Sequence, residues 1–97
     1  MNDLSVLAEL WDVISQRIDS KASSSYVAGL VSGPKGADRV LEKVGEEATE
    51  FIIAVKNRDR QQVVSEAADL QFHLLVALKT SGVDLEEVLA ELKKRRR

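Results

Sequence analysis

Five carboxylates in two neighbouring segments are the residues of this sequence best suited to chemistry. Glu46, Glu47 and Glu50 lie in the first segment, and Glu66 and Asp69 lie in the next. At about 100° per residue in an α-helix, each set projects from a limited arc of its helix. Two antiparallel helices could therefore bring three or four carboxylate oxygens together. Oxygen donors without sulfur or imidazole select Mg²⁺ or Mn²⁺ rather than zinc, so the pattern predicts a site for a hard divalent cation.

A solvated acidic helix surface is the alternative for the first set. Glu46 and Glu50 would then repel each other by a few tenths of a kcal/mol, and Lys43 would pair with Glu47. The second set favours the metal, because the segment from Gln61 to Leu78 contains no Lys or Arg. A carboxylate on an apolar surface is unfavourable to bury unless it is paired or binds a metal. An acid that reaches solvent at a helix edge, or caps a neighbouring helix, is the alternative there.

A magnesium site of this kind is suited to phosphate chemistry. Mg²⁺ is typically held by few protein carboxylates and keeps positions for water and substrate phosphates, as phosphoanhydride hydrolysis requires. Lys43 lies about one turn before Glu46 and is the basic residue best placed for a phosphate contact. His73 is the only histidine, and we interpret it as a core or interface residue with a satisfied ring nitrogen.

Hydrophobic spacing predicts an all-α fold in which two long antiparallel helices carry the carboxylates. Asp38 is the predicted N-cap of the first long helix, and the spacing of Asp84 and Glu87 predicts a capping box. No segment alternates with period two, so no strand is predicted. The expected helices span about 4–18, 26–31, 38–56, 60–80 and the segment after 84.

The second long helix is apolar on more than one side, with Leu74 on one face and Phe72 and Val76 on others. Such a helix has to be covered from several directions. A chain of 97 residues offers few elements for this, so we expect a homodimer or a higher even-numbered homo-oligomer. Gly45 lowers helix stability by about 1 kcal/mol relative to alanine and therefore predicts a close approach of another backbone or a ligand.

Composition and charge indicate a single globular domain, residues 1–97, that binds neither nucleic acid nor a membrane. Hydrophobic residues make up 44% and charged residues 31%, and there is no cysteine. Five of the 14 basic residues form the run Lys93–Arg97, so the rest of the chain contains nine basic and 16 acidic residues. That balance is opposite to the usual surface of a nucleic-acid-binding domain. Without a signal peptide pattern or a long apolar run, a cytoplasmic protein is expected.

The carboxylate pattern also resembles a known signature. Glu46-Glu47-x-x-Glu50 followed by Glu66-x-x-Asp69 is similar to the EExxE and ExxD motifs of the all-α nucleoside triphosphate pyrophosphohydrolases, which include the MazG enzymes. Four longer segments resemble the phosphoribosyl-ATP pyrophosphohydrolase family, and the similarity runs from about residue 25 to 92. These segments are Ser25–Ala28, Lys43–Glu50, Ala54–Asn57 and Glu66–Val76.

The resemblance implies a four- to five-helix MazG-like bundle completed by dimerisation. It implies Mg²⁺-dependent hydrolysis of the nucleotide phosphoribosyl-ATP to phosphoribosyl-AMP and pyrophosphate, the second step of histidine biosynthesis, with Mn²⁺ as a substitute metal. The implied metal ligands are Glu47, Glu50, Glu66 and Asp69, and the implied catalytic residues are Glu46 and Glu47, with Glu46 as a further ligand or the base. The expected substrate contacts are Ser25, Tyr26, Lys43, Lys56 and Asn57.

Three departures from the family pattern are visible. Gln71-Phe72 replaces a frequent Leu-Tyr pair, and these 97 residues are too few to contain the cyclohydrolase domain that is usually fused to this one. The turn at 33–37 is longer than usual, which leaves phosphate contacts from Lys35 and Arg39 open. Two other functions also stay open: a housekeeping MazG-type hydrolase of ordinary or damaged nucleotides, and a non-catalytic helical dimerisation module. The module predicts cations paired with Glu66 and Asp69.

Overall fold

The computed structural model describes residues 3–20 and 26–96, and within these ranges the chain forms five α-helices and no strand. The long helices α3 and α4 pack along each other and are joined by a three-residue turn, which makes them an antiparallel hairpin. The all-α class and the hairpin of long helices are therefore confirmed. The helices are α1 (Ser5–Ser20), α2 (Tyr26–Ser32), α3 (Ala37–Lys56), α4 (Arg60–Thr80) and α5 (Leu85–Arg95).

The turn between α3 and α4 is fixed by local interactions. Arg58 adopts a positive φ of 56°, which reverses the chain direction directly after α3. Asp59 is the N-cap of α4, and its carboxylate accepts a hydrogen bond of 3.2 Å from the backbone N–H of Gln62. Such a cap satisfies one of the free N–H groups at the start of a helix. The two helices that carry the carboxylates are therefore held in a defined register.

The start of α3 differs from the prediction, because Gly36 rather than Asp38 is the N-cap. Gly36 has a φ of 55°, and no side chain donates or accepts a capping hydrogen bond there. Glycine adopts this left-handed conformation without a steric penalty, so the chain turns before Asp38 is reached. Asp38 lies in the first turn, where its negative charge interacts favourably with the positive end of the helix dipole. The capping box formed by Asp84 and Glu87 at α5 is confirmed.

The core is built where α1, α2, α3 and α4 meet. Its most buried side chains include Ile14 of α1, Val27 of α2, Val40 of α3 and Val76 of α4. These contacts hold α2 against the hairpin and bring Tyr26, the first residue of α2, to α4.

Large apolar side chains nevertheless remain exposed on the single chain. Leu41, Ile52 and Val55 lie on the exposed side of α3. Gly45 lies on the same side, and a Cβ placed on it meets no described atom within 4 Å, so no other part of the described chain approaches it closely. A cavity of about 600 Å³ with mainly apolar walls lies between α1, α4 and α5. No helix among the described residues has both the length and the hydropathy needed to cross a membrane.

Candidate active site

Three carboxylates from the two long helices meet at the hairpin. Glu47 of α3 and Glu66 and Asp69 of α4 each offer one oxygen, and these oxygens lie within 4.8 Å of one another. Glu66 and Asp69 are three residues apart and so share one side of α4. The convergence predicted from the sequence is therefore observed for these three side chains.

Glu50 lies beside this group, one turn after Glu47. A hydrogen bond with the Glu50 carboxylate is the largest cause that raises the pKa of Glu66 to about 7, followed by partial desolvation and by a hydrogen bond with Glu47. Glu50 and Glu66 also line a cavity of about 220 Å³. Neighbouring carboxylates favour a proton or a cation between them.

Glu47 is the most enclosed of the carboxylates, with 5% of its surface exposed. Its Oε1 forms an ion pair with Lys43 Nζ at a distance of 3.1 Å. Burial acts to raise the pKa of Glu47, but hydrogen bonding to Lys43 and Glu66 outweighs it, so the pKa lies below its ordinary value. The pKa of Lys43 is raised, mainly by its hydrogen bond to Glu47, with smaller contributions from Tyr26 and Glu46. The Lys43–Glu47 pair of the alternative interpretation thus exists, but it satisfies only one oxygen.

The remaining oxygens fit a hard divalent cation. Glu47 Oε2 and Glu66 Oε2 are buried and have no hydrogen-bond partner among the described residues. Within that part of the chain, no Lys or Arg nitrogen lies within 4.0 Å of a carboxylate oxygen of Glu50, Glu66 or Asp69. Buried, unpaired carboxylate oxygens are unfavourable unless a metal satisfies them. Among residues 3–20 and 26–96, Glu66 and Asp69 have none of the paired cations that a non-catalytic module requires.

Glu46 lies outside the group of three and is held by cations. Its carboxylate lies 3.3 Å from Arg39 Nη1 and 3.5 Å from Lys43 Nζ. Arg39 and Lys35 also contact Glu42, at 3.1 and 3.0 Å. Both cations whose phosphate contacts the sequence left open are therefore engaged by acids of α3.

Sequence comparison agrees with this geometry. The family model described as phosphoribosyl-ATP pyrophosphohydrolase matches residues 7–96. The chain belongs to this family. It is 53% identical over 97 residues to the phosphoribosyl-ATP pyrophosphatase of Methanoculleus marisnigri, covering 100% of both chains. It is 57% identical to the protein of that name from Methanosphaerula palustris, covering 100% of this chain and 98% of the relative.

The similarity extends beyond these two relatives. A phosphoribosyl-ATP pyrophosphatase from Methylibium petroleiphilum is 52% identical over 89 residues, which are 92% of this chain and 72% of that protein. Membership of the phosphoribosyl-ATP pyrophosphohydrolase family, expected from the motifs, is confirmed.

The substrate contacts expected from the family resemblance are only partly brought together. Lys43 lies beside Glu47, and Asn57 lines the cavity with Glu50 and Glu66. Lys56 is exposed at the last residue of α3 and is not part of that cavity wall. Ser25 lies outside the described residues.

Tyr26, the remaining predicted contact, makes an interaction that the sequence did not reveal. Its hydroxyl lies 2.9 Å from His73 Nε2. His73 is buried with both ring nitrogens engaged, so its interpretation as a satisfied histidine is confirmed. Asp59 and Gln62 were also missed as cavity walls. The N-cap position of Asp59 was the available signal, because the cap of α4 must lie beside the end of α3.

Proposed function

We propose that this protein hydrolyses phosphoribosyl-ATP to phosphoribosyl-AMP and pyrophosphate with Mg²⁺, as the second step of histidine biosynthesis. Family membership supports the substrate, because the relatives carry the name phosphoribosyl-ATP pyrophosphatase. The observation that carries the proposal is the group formed by Glu47, Glu66 and Asp69, in which buried oxygens lack a partner. A divalent cation would compensate the negative charge of these carboxylates and could bind the polyphosphate of a substrate.

The proposed metal ligands are Glu47, Glu66 and Asp69, with Glu50 joining them from the adjacent turn. All four are oxygen donors, which suits Mg²⁺ and, as a substitute, Mn²⁺. A bound Mg²⁺ supplies Lewis-acid stabilisation of the phosphate oxygens during hydrolysis.

The chain's own residues have separate proposed roles around this group. Glu46, oriented by Arg39 and Lys43, accepts a proton from water as the water oxygen bonds to phosphorus. The phosphoanhydride P–O bond breaks and pyrophosphate leaves. Glu47 has the second proposed catalytic role, because it fixes the Lys43 ammonium beside Glu46. Lys43 and Asn57 bind the substrate from the two ends of the site.

Substrate comparison tests this proposal. We expect pyrophosphate, not orthophosphate, to be released from phosphoribosyl-ATP only when Mg²⁺ is present. The kcat/KM for ATP and dUTP should be at least about 100-fold lower, which corresponds to roughly 2.7 kcal/mol of differential transition-state binding. Comparable kcat/KM values for ATP would instead support the housekeeping nucleotide hydrolase.

We also propose that two or another even number of copies associate through α3. Leu41, Ile52 and Val55 lie within about 60° of one another on a helical wheel, roughly 120° from the face that carries Val40 and Ala54 into the core. An exposed apolar stripe along a long helix is suited to packing against the same stripe of a second copy.

A further inference from the structure

We infer that His73 is a positioning residue that fixes the Tyr26 hydroxyl as a hydrogen-bond acceptor for a donor group, a hydroxyl or an amino group, of the bound nucleotide. This inference rests on the proposed function and assigns the chemical class of the group that Tyr26 recognises. It follows from two hydrogen bonds whose directions are fixed by chemistry.

The tautomer of His73 is set by the backbone of Asp69. His73 Nδ1 lies 2.8 Å from the carbonyl oxygen of Asp69, and a carbonyl can only accept a hydrogen bond. Nδ1 therefore carries the proton, and Nε2 of the neutral ring is an acceptor. The Tyr26 hydroxyl, 2.9 Å from Nε2, must donate its proton to that nitrogen.

The aromatic neighbours hold this arrangement in place. The His73 ring meets the rings of Phe72 and Tyr26 edge to face, with centroid separations of 5.0 and 5.9 Å. The His73 side chain is 6% exposed, so no water competes freely for its nitrogens. Tyr26 of α2 is thereby attached to the turn of α4 that carries Asp69.

The lone pairs of the Tyr26 oxygen remain available on the surface. Tyr26 is 56% exposed, and within the described part of the chain its oxygen has no other hydrogen-bond partner. Because its proton is used by His73, this oxygen accepts hydrogen bonds and does not donate one to a phosphate oxygen. Tyr26 is among the smaller causes that raise the pKa of Lys43, which is consistent with a position near the Lys43 ammonium. A ribose hydroxyl or a base amino group of the nucleotide is the donor that fits.

Nitrogen NMR of the side chain tests the geometry without any activity measurement. The chain contains one histidine and one tyrosine, so the resonances need no assignment by mutation. In the metal-free protein at pH 8 we expect a protonated Nδ1 and an unprotonated Nε2. The loss of the Tyr26 hydroxyl in Tyr26→Phe should shift the Nε2 resonance. A proton on Nε2 in the wild type would overturn the inference.

Kinetics of matched variants test the role in recognition. Tyr26→Phe should raise KM for phosphoribosyl-ATP about three- to tenfold, the range of one hydrogen bond, and affect kcat less. His73→Asn keeps an N–H for the Asp69 carbonyl but offers Tyr26 no acceptor, so it should raise KM similarly. His73→Gln places an acceptor near the Nε2 position and should restore much of the wild-type KM. Tyr26→Phe combined with His73→Asn should resemble Tyr26→Phe alone.

Two results would contradict the positioning role. KM values that follow the melting temperatures of the variants, with no advantage of His73→Gln over His73→Asn, would indicate a structural histidine only. Additive effects of Tyr26→Phe and His73→Asn would show that the two residues act separately. A wild-type protein that releases no pyrophosphate would remove the proposed function, whereas the tautomer would still decide the role of His73.

Discussion

At the scale of single residues, Glu66 is the carboxylate of this group whose surroundings favour its protonated form. Glu50 and Glu47 together with partial desolvation raise its pKa to about 7, well above the ordinary value of 4.5. The pKa of Glu47 lies below its ordinary value because Lys43 compensates its charge. The group therefore contains one carboxylate that is stabilised by a lysine and one that gains from a proton or a metal ion.

This difference predicts how the metal-free protein responds to pH. Between pH 4.5 and about 7 the folded protein retains a proton on Glu66 that the unfolded chain has lost, so stability should fall as pH rises through this interval. Glu47 contributes in the opposite direction, but only below pH 4.5. Melting temperatures of metal-free wild type and Glu66→Gln across this range provide the measurement. The variant should lack the decline, and an equal decline in both proteins would show that Glu66 is not its source.

At the scale of elements, α3 has one apolar face in the core and a second one that is exposed. Gly45 lies between Leu41 and Ile52 on the exposed face. If nothing packs closely there, Gly45→Ala should stabilise the protein by up to about 1 kcal/mol, because alanine is the better helix former. Chemical denaturation of the two proteins measures the difference. A loss of stability in Gly45→Ala would instead indicate a close contact made by a second copy. Light scattering on the same samples would then show whether the mass of the variant is lower than that of the wild type.

The sequence predicts the two long helices, but it does not predict where α3 begins or how α2 docks on α4. The hairpin and the convergence of Glu47, Glu66 and Asp69 followed from helical periodicity and a short turn, which are local properties. The start of α3 was missed because the positive φ of Gly36 is a backbone feature with no hydrophobic pattern. The contact of Tyr26 with His73 depends on how α2 docks on α4, which spacing within one helix cannot predict.

At the scale of the whole molecule, the proposed association of copies depends on the apolar side chains that stay exposed on one chain. The apolar positions of α4 predict Leu75 or Val76 as an interfacial residue, but both are buried within the chain, so a charge at either position would unfold it. The exposed stripe of α3 is the better target. Ile52→Glu should lower the mass measured by light scattering at micromolar concentration, whereas Val6→Glu, an equally exposed position on α1, should not. A wild-type monomer with full activity would contradict the proposed assembly.

Under the proposed function, the carboxylates between α3 and α4 are retained for a metal ion rather than for folding. Thermal melts of wild type, Asp69→Asn and the exposed control Glu9→Gln, each with and without Mg²⁺, test it most directly. Mg²⁺ at ten times its Kd should stabilise wild type and the control by about 1.4 kcal/mol, a rise of roughly 5 °C or more in Tm. Asp69→Asn should melt no lower than wild type without metal and should not respond to Mg²⁺. If Asp69→Asn melts several degrees lower without metal and wild type ignores Mg²⁺, the carboxylates are structural and the account is wrong.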